Sequence, residues 1–202
     1  EIAQQPAVLG DALAHYLQDG TLNLPASLDF THLDRLTLVA CGTASYACLT
    51  AKYWFESLAG LPCEVDIASE FRYREPPLPP KSFALFVSQS GETADTLAAL
   101  RFCQGKVEKI VSVVNVPTSS IARESDVALP ILAGVEVGVA STKAFTCQLL
   151  VLLLLALKAA QDRGHLTKAQ IKAHLADLAR RAVRHGRGDE RKPSPDAPAT
   201  AQ

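Results

Sequence analysis

Hydroxyl and amide side chains are concentrated in one short segment of the sequence, residues 88–93, which reads Ser-Gln-Ser-Gly-Glu-Thr. These side chains donate hydrogen bonds, and the glycine among them lets the backbone come close to a ligand. The helical pattern that follows supplies free N–H groups, with about half a positive charge at its N-terminus. A phosphate monoester has a charge of about −1.5 to −2 and three acceptor oxygens, which suits such neutral donors. We therefore expect this turn to bind a phosphate ester.

Helix capping is the competing interpretation of these hydroxyls, because Ser and Thr favour helix N-termini whether or not a ligand binds. Their clustering between a strand and a helix favours binding, since open parallel sheets bind ligands at the carboxyl ends of strands. The sequence contains neither G-x-G-x-x-G nor G-x-x-x-x-G-K-[ST], which argues against a dinucleotide or P-loop nucleotide site. A smaller phosphate ester fits better.

Two further turns have a similar composition. Residues 41–45 (Cys-Gly-Thr-Ala-Ser) lie between an apolar run and a helical pattern, and residues 138–143 (Gly-Val-Ala-Ser-Thr-Lys) precede the longest helical pattern. The second of these turns is equally well interpreted as a plain helix start, with Ser141 or Thr142 as the cap and Lys143 in solvent.

Groups that could carry out catalysis are few. All five histidines lie outside these turns, so no pairing of a nucleophile with a base can be predicted. Cys41 could be a reactive thiolate, but a small buried residue is the favoured interpretation. Glu92 could be a general base, but a first-turn carboxylate favoured by the helix dipole is preferred. The five cysteines are scattered and contain no C-x-x-C pair, which indicates reduced thiols rather than disulfides or a zinc site.

Short apolar segments that alternate with helical patterns must position these turns. Such alternation is typical of an α/β fold, with a parallel sheet covered by helices on both faces. The predicted strands are residues 36–40, 63–68, 82–87, 109–114 and 126–131. The predicted helices run from Gln5 to near Gly20, over residues 44–59 and 69–74, from the 88–93 turn to about Cys103, and over residues 142–163 and 168–183.

Composition divides the chain into an N-terminal helix and linker (1–35), an α/β domain (36–183) and a tail (184–202). The tail combines charges, Pro and Gly with almost no apolar residues, so we expect it to be disordered. The net charge of −1 and the pI near 6.6 give no field that would attract nucleic acid or an anionic membrane. The apolar run at 149–157 is too short for a bilayer and predicts a buried helix that packs against another subdomain or subunit.

Five strings of sequence resemble the isomerase half of the glutamine:fructose-6-phosphate aminotransferase (isomerising) family. They are CGT at 41–43, YWFESLAG at 53–60, ASEFRYRE at 68–75, SQSGETADTLAALR at 88–101 and GVASTKAFTCQL at 138–149. The resemblance extends from about Glu1 to about Leu178. It implies a flavodoxin-like sugar isomerase (SIS) domain with a five-stranded parallel sheet, the first of two such subdomains in that enzyme.

The resemblance also implies a binding site for the phosphate and sugar of fructose 6-phosphate. Its residues fall on Gly42, Thr43, Ser88, Gln89, Ser90 and Thr93, with Val139 and Ser141 completing this side of the pocket. Relatives often have serine where this chain has Ala44, so one hydrogen bond of the family pattern has no side chain to make it. No metal or cofactor is implied. The implied partners are the sugar phosphate and, in the whole enzyme, a second identical subunit. The implied location is the cytoplasm, and neither a nucleic acid nor a membrane is an implied partner.

Parts of the family's enzyme have no counterpart in this sequence. The glutaminase domain and the second SIS subdomain, with its catalytic glutamate, lysine and histidine, are unmatched, so no catalytic residue is assigned here. The sequence begins at Glu1 and contains no methionine. We therefore expect this chain to be the hexose-phosphate-binding part of a longer enzyme and to be inactive on its own. Two alternatives are a stand-alone SIS-domain sugar-phosphate sensor and a small phosphosugar isomerase with sites between subunits.

Overall fold

The computed structural model describes residues 1–138 and 140–186, and in the last helix the side chains up to residue 182. A short 3-10 helix at Ile2–Gln4 comes first. The other elements, in chain order, are α1 (Gln5–Tyr16), β1 (Leu17–Gln18), β2 (Thr21–Leu22), β3 (Arg35–Ala40), α2 (Thr43–Ala59), β4 (Cys63–Ile67), α3 (Ala68–Arg74), β5 (Ser82–Ser88), α4 (Ala94–Cys103), β6 (Lys109–Val114), α5 (Ser120–Arg123), β7 (Val127–Pro130), α6 (Lys143–Asp162) and α7 (Lys168–Gly186).

Five parallel strands form the central sheet, in the spatial order β4-β3-β5-β6-β7. Counted from the first strand of this sheet, the order is 2-1-3-4-5, which is that of flavodoxin-like folds. The prediction of an α/β fold with a five-stranded parallel sheet is therefore confirmed. Each strand begins and ends within one residue of its predicted limits.

Helices cover both faces of the sheet, as predicted. Leu38 and Ala40 of β3 point into the larger core, whereas Val39 between them joins a second core on the opposite face. This alternation follows from the two-residue period of a strand. Helices α2 and α6 pack together in the larger core, and α3 packs against α4 in the second.

The N-terminal segment is attached to the larger core. Tyr16, Leu28 and Phe30 are almost completely buried in it. The Tyr16 hydroxyl donates a hydrogen bond of 2.7 Å to the carbonyl oxygen of Pro130, at the end of β7. The segment before β3 therefore contributes to the same packed interior as the sheet.

Helix α6 contains the apolar run that predicts a buried helix, and this prediction is confirmed, because none of its residues is fully exposed. Its contacts are mainly with α2 and α1. The burial therefore comes from this chain itself rather than from another subdomain or subunit. Among the described helices, α6 is the one long and apolar enough to cross a membrane by length and composition, yet 67% of its most apolar window is buried within the fold.

Three local features differ from the sequence prediction. The first helix ends at Tyr16 rather than near Gly20, because Asp19 and Gly20 form the turn of a small hairpin in which β1 pairs with β2. Their φ angles of 52° and 71° are those that Asp-Gly favours in such turns. Helix α5, only four residues long, has no counterpart in the prediction. Helix α7 continues to Gly186, so residues 184–186 are helical rather than disordered. The remainder of the predicted tail lies outside the described residues.

Candidate functional site

A cavity of about 170 Å³ lies at the carboxyl edge of the sheet, where the neighbouring strands β3 and β5 end. The connection that follows β3 leads to β4 on one side of the sheet, and the connection that follows β5 leads to β6 on the other side. Doubly wound sheets bind ligands at such a point, where the strand order reverses. The lining residues are Cys41, Thr43, Ala44, Val87, Ser88, Gln89, Ser90, Thr93, Ser141 and Gln148. Six of the eight predicted site residues are among them. Gly42 lies between two lining residues, and Val139 lies outside the described residues.

Gly42 shapes the first turn of the cavity. Its φ and ψ of 58° and −138° belong to a region that is essentially restricted to glycine. A Cβ atom at Gly42 would have no described atom within 4 Å, so the backbone conformation and not the available space requires glycine. The Gly42 carbonyl accepts hydrogen bonds from the Ser45 amide and hydroxyl, at 3.0 and 2.7 Å. This turn brings the N-terminus of α2, with Thr43 and Ala44, to the cavity.

The 88–93 turn is held by its own hydroxyl groups. Ser88 Oγ accepts a hydrogen bond from the Gly91 amide at 3.1 Å and lies 3.2 Å from Thr93 Oγ1. Ser90 Oγ accepts one from the Glu92 amide at 3.2 Å. Because the backbone amides use oxygen lone pairs, the proton of the Ser90 hydroxyl is available for a ligand, as is the proton of whichever of Ser88 and Thr93 does not donate to the other. Ser88 is buried, whereas Gln89 is half-buried and Ser90 is exposed at the cavity mouth.

The helix-capping interpretation of these hydroxyls does not account for the geometry. Thr93 occupies the N-cap position of α4, but its side chain makes no capping hydrogen bond within the described chain. Ser88 and Ser90 bond to amides inside the turn and not to the first amides of α4. The N-terminus of this ten-residue helix is therefore uncapped by side chains at the edge of the cavity.

Residues 119–121 support the 88–93 turn from outside. The Ile121 amide donates to the Gly91 carbonyl at 3.0 Å, and Ser119 Oγ lies only 2.0 Å from where a Cβ atom on Gly91 would be. Glu92 Oε1 accepts a hydrogen bond from the Ser120 amide at 2.7 Å, and this bond lowers the pKa of Glu92 below its ordinary value of 4.5. Glu92 thus braces the turn against the start of α5. The interpretation of Glu92 as a first-turn carboxylate of α4 is wrong, because it precedes the N-cap residue Thr93. Glu92 is also not among the residues that line the cavity.

Glu136 organises the third turn. Its carboxylate accepts hydrogen bonds from Ser141 Oγ at 3.1 Å, from the Thr142 amide at 3.0 Å and from the Ala144 amide at 3.2 Å. The N-cap residue of α6 is Thr142, but the carboxylate of Glu136 makes the capping contacts. The expectation that Lys143 is solvated is wrong, because it is only 4% exposed and its ammonium donates to Gln4 Oε1 at 2.9 Å.

The described lining of the cavity carries no fixed charge. It has no Lys, Arg, His, Asp or Glu, and its one titratable side chain is Cys41, which is half-buried rather than fully buried. Three helices begin beside it. The N-termini of α2 and α4 have no side-chain cap and each contributes about half a positive charge, whereas the N-terminus of α6 is already occupied by the carboxylate of Glu136. Within residues 1–138 and 140–186, no cluster of three or more His, Cys, Asp or Glu side chains is placed to hold a metal ion. The arrangement is suited to binding an anion through neutral donors.

The other four cysteines are buried free thiols, consistent with the predicted absence of a disulfide framework. Burial raises the pKa of Cys63, Cys103 and Cys147 to about 12, and it raises that of Cys48 further. These thiols are therefore protonated at neutral pH and serve as packing groups.

Gln148 is the polar lining residue that the predicted site did not include. It lies on α6 and is only 2% exposed, yet its side chain reaches the cavity. The signal available in the sequence was a glutamine within an apolar helical run, a residue type that is seldom fully buried. The helical period alone does not reveal that this face of α6 meets the ends of β3 and β5.

Comparison with known proteins shows where this architecture recurs. The family model of the SIS domain matches residues 29–158. Glutamine–fructose-6-phosphate aminotransferases (isomerising) from Bradyrhizobium diazoefficiens and Rhizobium meliloti are 60% and 54% identical over 83% and 89% of this chain. The chain spans 28% and 30% of their lengths.

A solved structure has the same fold over nearly the whole described chain. It is the C-terminal domain of glucosamine-fructose-6-phosphate aminotransferase from Francisella tularensis, with a TM-score of 0.86 and 42% identity. The match covers 90% of this chain and 52% of that one.

Proposed function

This chain belongs to the SIS domain family, and from that premise we propose that it is the hexose-phosphate-binding part of a glutamine:fructose-6-phosphate aminotransferase (isomerising). That enzyme makes glucosamine 6-phosphate from fructose 6-phosphate and glutamine, for amino-sugar synthesis. The observation that carries the proposal is the neutral lining of the cavity where the uncapped N-termini of α2 and α4 meet the 88–93 turn. Relatives of 54% to 60% identity with this activity in their names support it.

We assign the phosphate to the 88–93 turn. The hydroxyls of Ser88, Ser90 and Thr93 and the uncapped N-terminus of α4 supply hydrogen-bond donors around one point, which is how phosphates bind at helix N-termini. Thr43 and Gly42 at the start of α2, and Gln89, Ser141 and Val139, are proposed to contact the remainder of the sugar phosphate.

The residues of this chain are proposed to bind and orient the substrate rather than to move protons. A proton shuttle between two sugar carbons needs an acid or base beside them, and the described lining has no His, Lys, Asp or Glu side chain. The catalytic groups of the reaction are therefore assigned to parts of the whole enzyme that this chain does not match. A homodimer and a reducing cytoplasm, the latter consistent with five free thiols, complete the proposal.

Thermal unfolding with and without ligand tests the proposal on the 202-residue chain. Fructose 6-phosphate or glucosamine 6-phosphate at 100 times its Kd should add about 2.7 kcal/mol of stability, which raises Tm by about 5 to 11 °C for this size. Fructose without phosphate should produce no such shift. Absence of a shift with both hexose phosphates, in a sample shown to be folded by circular dichroism, would refute the proposal.

Ser90→Ala tests the placement of the phosphate. It should reduce the ligand-induced shift because one hydroxyl donor is lost, while Ser57→Ala, at an exposed serine on α2, should leave the shift unchanged. Equal shifts in Ser90→Ala and the parent chain would place the phosphate elsewhere. Turnover of fructose 6-phosphate by the isolated chain would favour the small-isomerase alternative instead.

A further inference from the structure

The cavity wall contains one buried polar side-chain atom that nothing described in the chain satisfies. Gln148 Oε1 is buried and accepts no hydrogen bond from the described residues, although the whole side chain is only 2% exposed. Its neighbours one turn away on α6, Ala144 and Leu152, are completely buried and apolar, so the helix itself offers no partner. Buried polar atoms are nearly always paired, and an unpaired one at a cavity wall points to a partner that enters from the cavity.

Gln148 differs in this respect from the other unpaired polar side chains. Thr37, Thr96 and Ser112 also have buried hydroxyls without a described partner, but these residues do not line the cavity. Gln148 does line it, together with the ends of β3 and β5. Rotation of the Gln148 amide would turn its unpaired carbonyl toward a ligand in the same cavity that we assign to a hexose phosphate.

The chemistry of the free atom restricts what can pair with it. An amide oxygen accepts hydrogen bonds and donates none, so it needs a donor. A fully ionised phosphate has only acceptor oxygens and cannot supply one, whereas every sugar hydroxyl can. The carbonyl of Gln148 is thus complementary to the polyhydroxyl part of a sugar phosphate and not to its phosphate.

We propose that Gln148 is a specificity-determining residue that accepts a hydrogen bond from a hydroxyl group of the bound sugar phosphate. The proposal rests on the hexose-phosphate function proposed above and deepens it. It assigns the two ends of the ligand to different walls, with the phosphate at the 88–93 turn and the hydroxyl-bearing carbons at α6. A phosphate ester without hydroxyl groups would leave the carbonyl of Gln148 unpaired and would bind more weakly.

Calorimetric titration of the 202-residue chain with two ligands tests this assignment. Fructose 6-phosphate has both a phosphate and hydroxyl groups, whereas ethyl phosphate has a phosphate alone. Gln148→Met keeps the length of the side chain but removes the carbonyl. This variant should raise the Kd of fructose 6-phosphate about tenfold, which is 1.4 kcal/mol of binding free energy, while the Kd of ethyl phosphate changes less than twofold. Gln148→Leu also lacks the carbonyl and should give the same difference between the two ligands. It serves as the second variant if Gln148→Met fails to fold.

Stability provides a second readout and a matched control. Without ligand, Gln148→Met should melt at a higher temperature than the parent chain, because the unpaired buried amide is gone. Thr37→Val removes an unpaired buried hydroxyl away from the cavity. It should also raise Tm, but leave both Kd values unchanged.

Each outcome is decisive. Equal weakening of both ligands, or no weakening of fructose 6-phosphate, would overturn the role of Gln148 while leaving the hexose-phosphate function in place. Failure of the parent chain to bind fructose 6-phosphate at all would overturn the proposed function, and the assignment of Gln148 with it.

Discussion

Gly91→Ala tests whether the 88–93 turn requires glycine for both its backbone and its surroundings. Gly91 has a φ of 68°, which costs a residue with a Cβ atom about 1–2 kcal/mol. An added Cβ would also lie 2.0 Å from Ser119 Oγ and 2.5 Å from Ser119 Cβ, and such overpacking costs about 1–3 kcal/mol. The sum of about 2–5 kcal/mol corresponds to a fall in Tm of about 4 to 20 °C.

Gly105→Ala separates the two contributions. Gly105 has a φ of 71° and no described atom within 4 Å of its Cβ position, so the alanine variant carries the backbone cost alone. Its Tm should fall by only about 2 to 8 °C, and its response to fructose 6-phosphate should be that of the parent chain. Gly91→Ala should also lose most of the ligand-induced shift, since the turn is displaced.

Combining Gly91→Ala with Ser119→Gly isolates the steric part. Removing the side chain of Ser119 relieves the contact, so the double variant should recover about 1–3 kcal/mol relative to the sum of the single variants. Thermal and urea unfolding, followed by circular dichroism, measure the parent chain, the three single variants and the double variant. Equal losses in Gly91→Ala and Gly105→Ala, or additive losses in the double variant, would refute the close packing of Ser119 against the turn.

Two further predictions concern groups that hold the site and the core. Because the pKa of Glu92 is lowered from 4.5, its charge stabilises the fold above pH 4.5, and this stabilisation is lost as the pH falls through the folded-state pKa. The free energy of unfolding of the parent chain should therefore fall more steeply with acid than that of Glu92→Gln. The same pH dependence in both proteins would contradict this. Tyr16→Phe should lower Tm by about 2 to 4 °C, through loss of about 1 kcal/mol from the bond to Pro130. Burial also raises the pKa of Tyr16 above 10, so the parent should lose a component of stability above pH 10 that the variant lacks. An unchanged Tm at pH 7 would show that the hydroxyl bond contributes nothing.

The strands and the turns that follow them were the features best predicted from the sequence. The strands were predictable to within one residue because their apolar runs are bounded by turn residues. Placing Thr43 near Ser88 then required only that neighbouring parallel strands end at the same edge of the sheet. The Asp19-Gly20 hairpin carried an equally readable turn signal, although the apolar residues before it were assigned to a longer helix.

Contacts between distant segments were not predictable in the same way. The burial of Lys143 depends on Gln4, and the capping of α6 depends on a carboxylate outside the helix, that of Glu136. The Ser120 amide determines that the Glu92 carboxylate braces the 88–93 turn instead of lying in the first turn of α4. In each case the partner is chosen by the tertiary arrangement, and local residue preferences contain no information about it.

The absence of fixed charges from the described lining of the cavity determines how binding should depend on solution conditions. A site built from lysine or arginine would attract phosphate over long distances and lose affinity steeply with added salt. Hydroxyls and helix N-termini act over short distances, so the affinity of this cavity is set by contact geometry. The described lining contains no His, Asp or Glu side chain. Any change of affinity near pH 6 then belongs to the ligand, whose phosphate gains its second charge there.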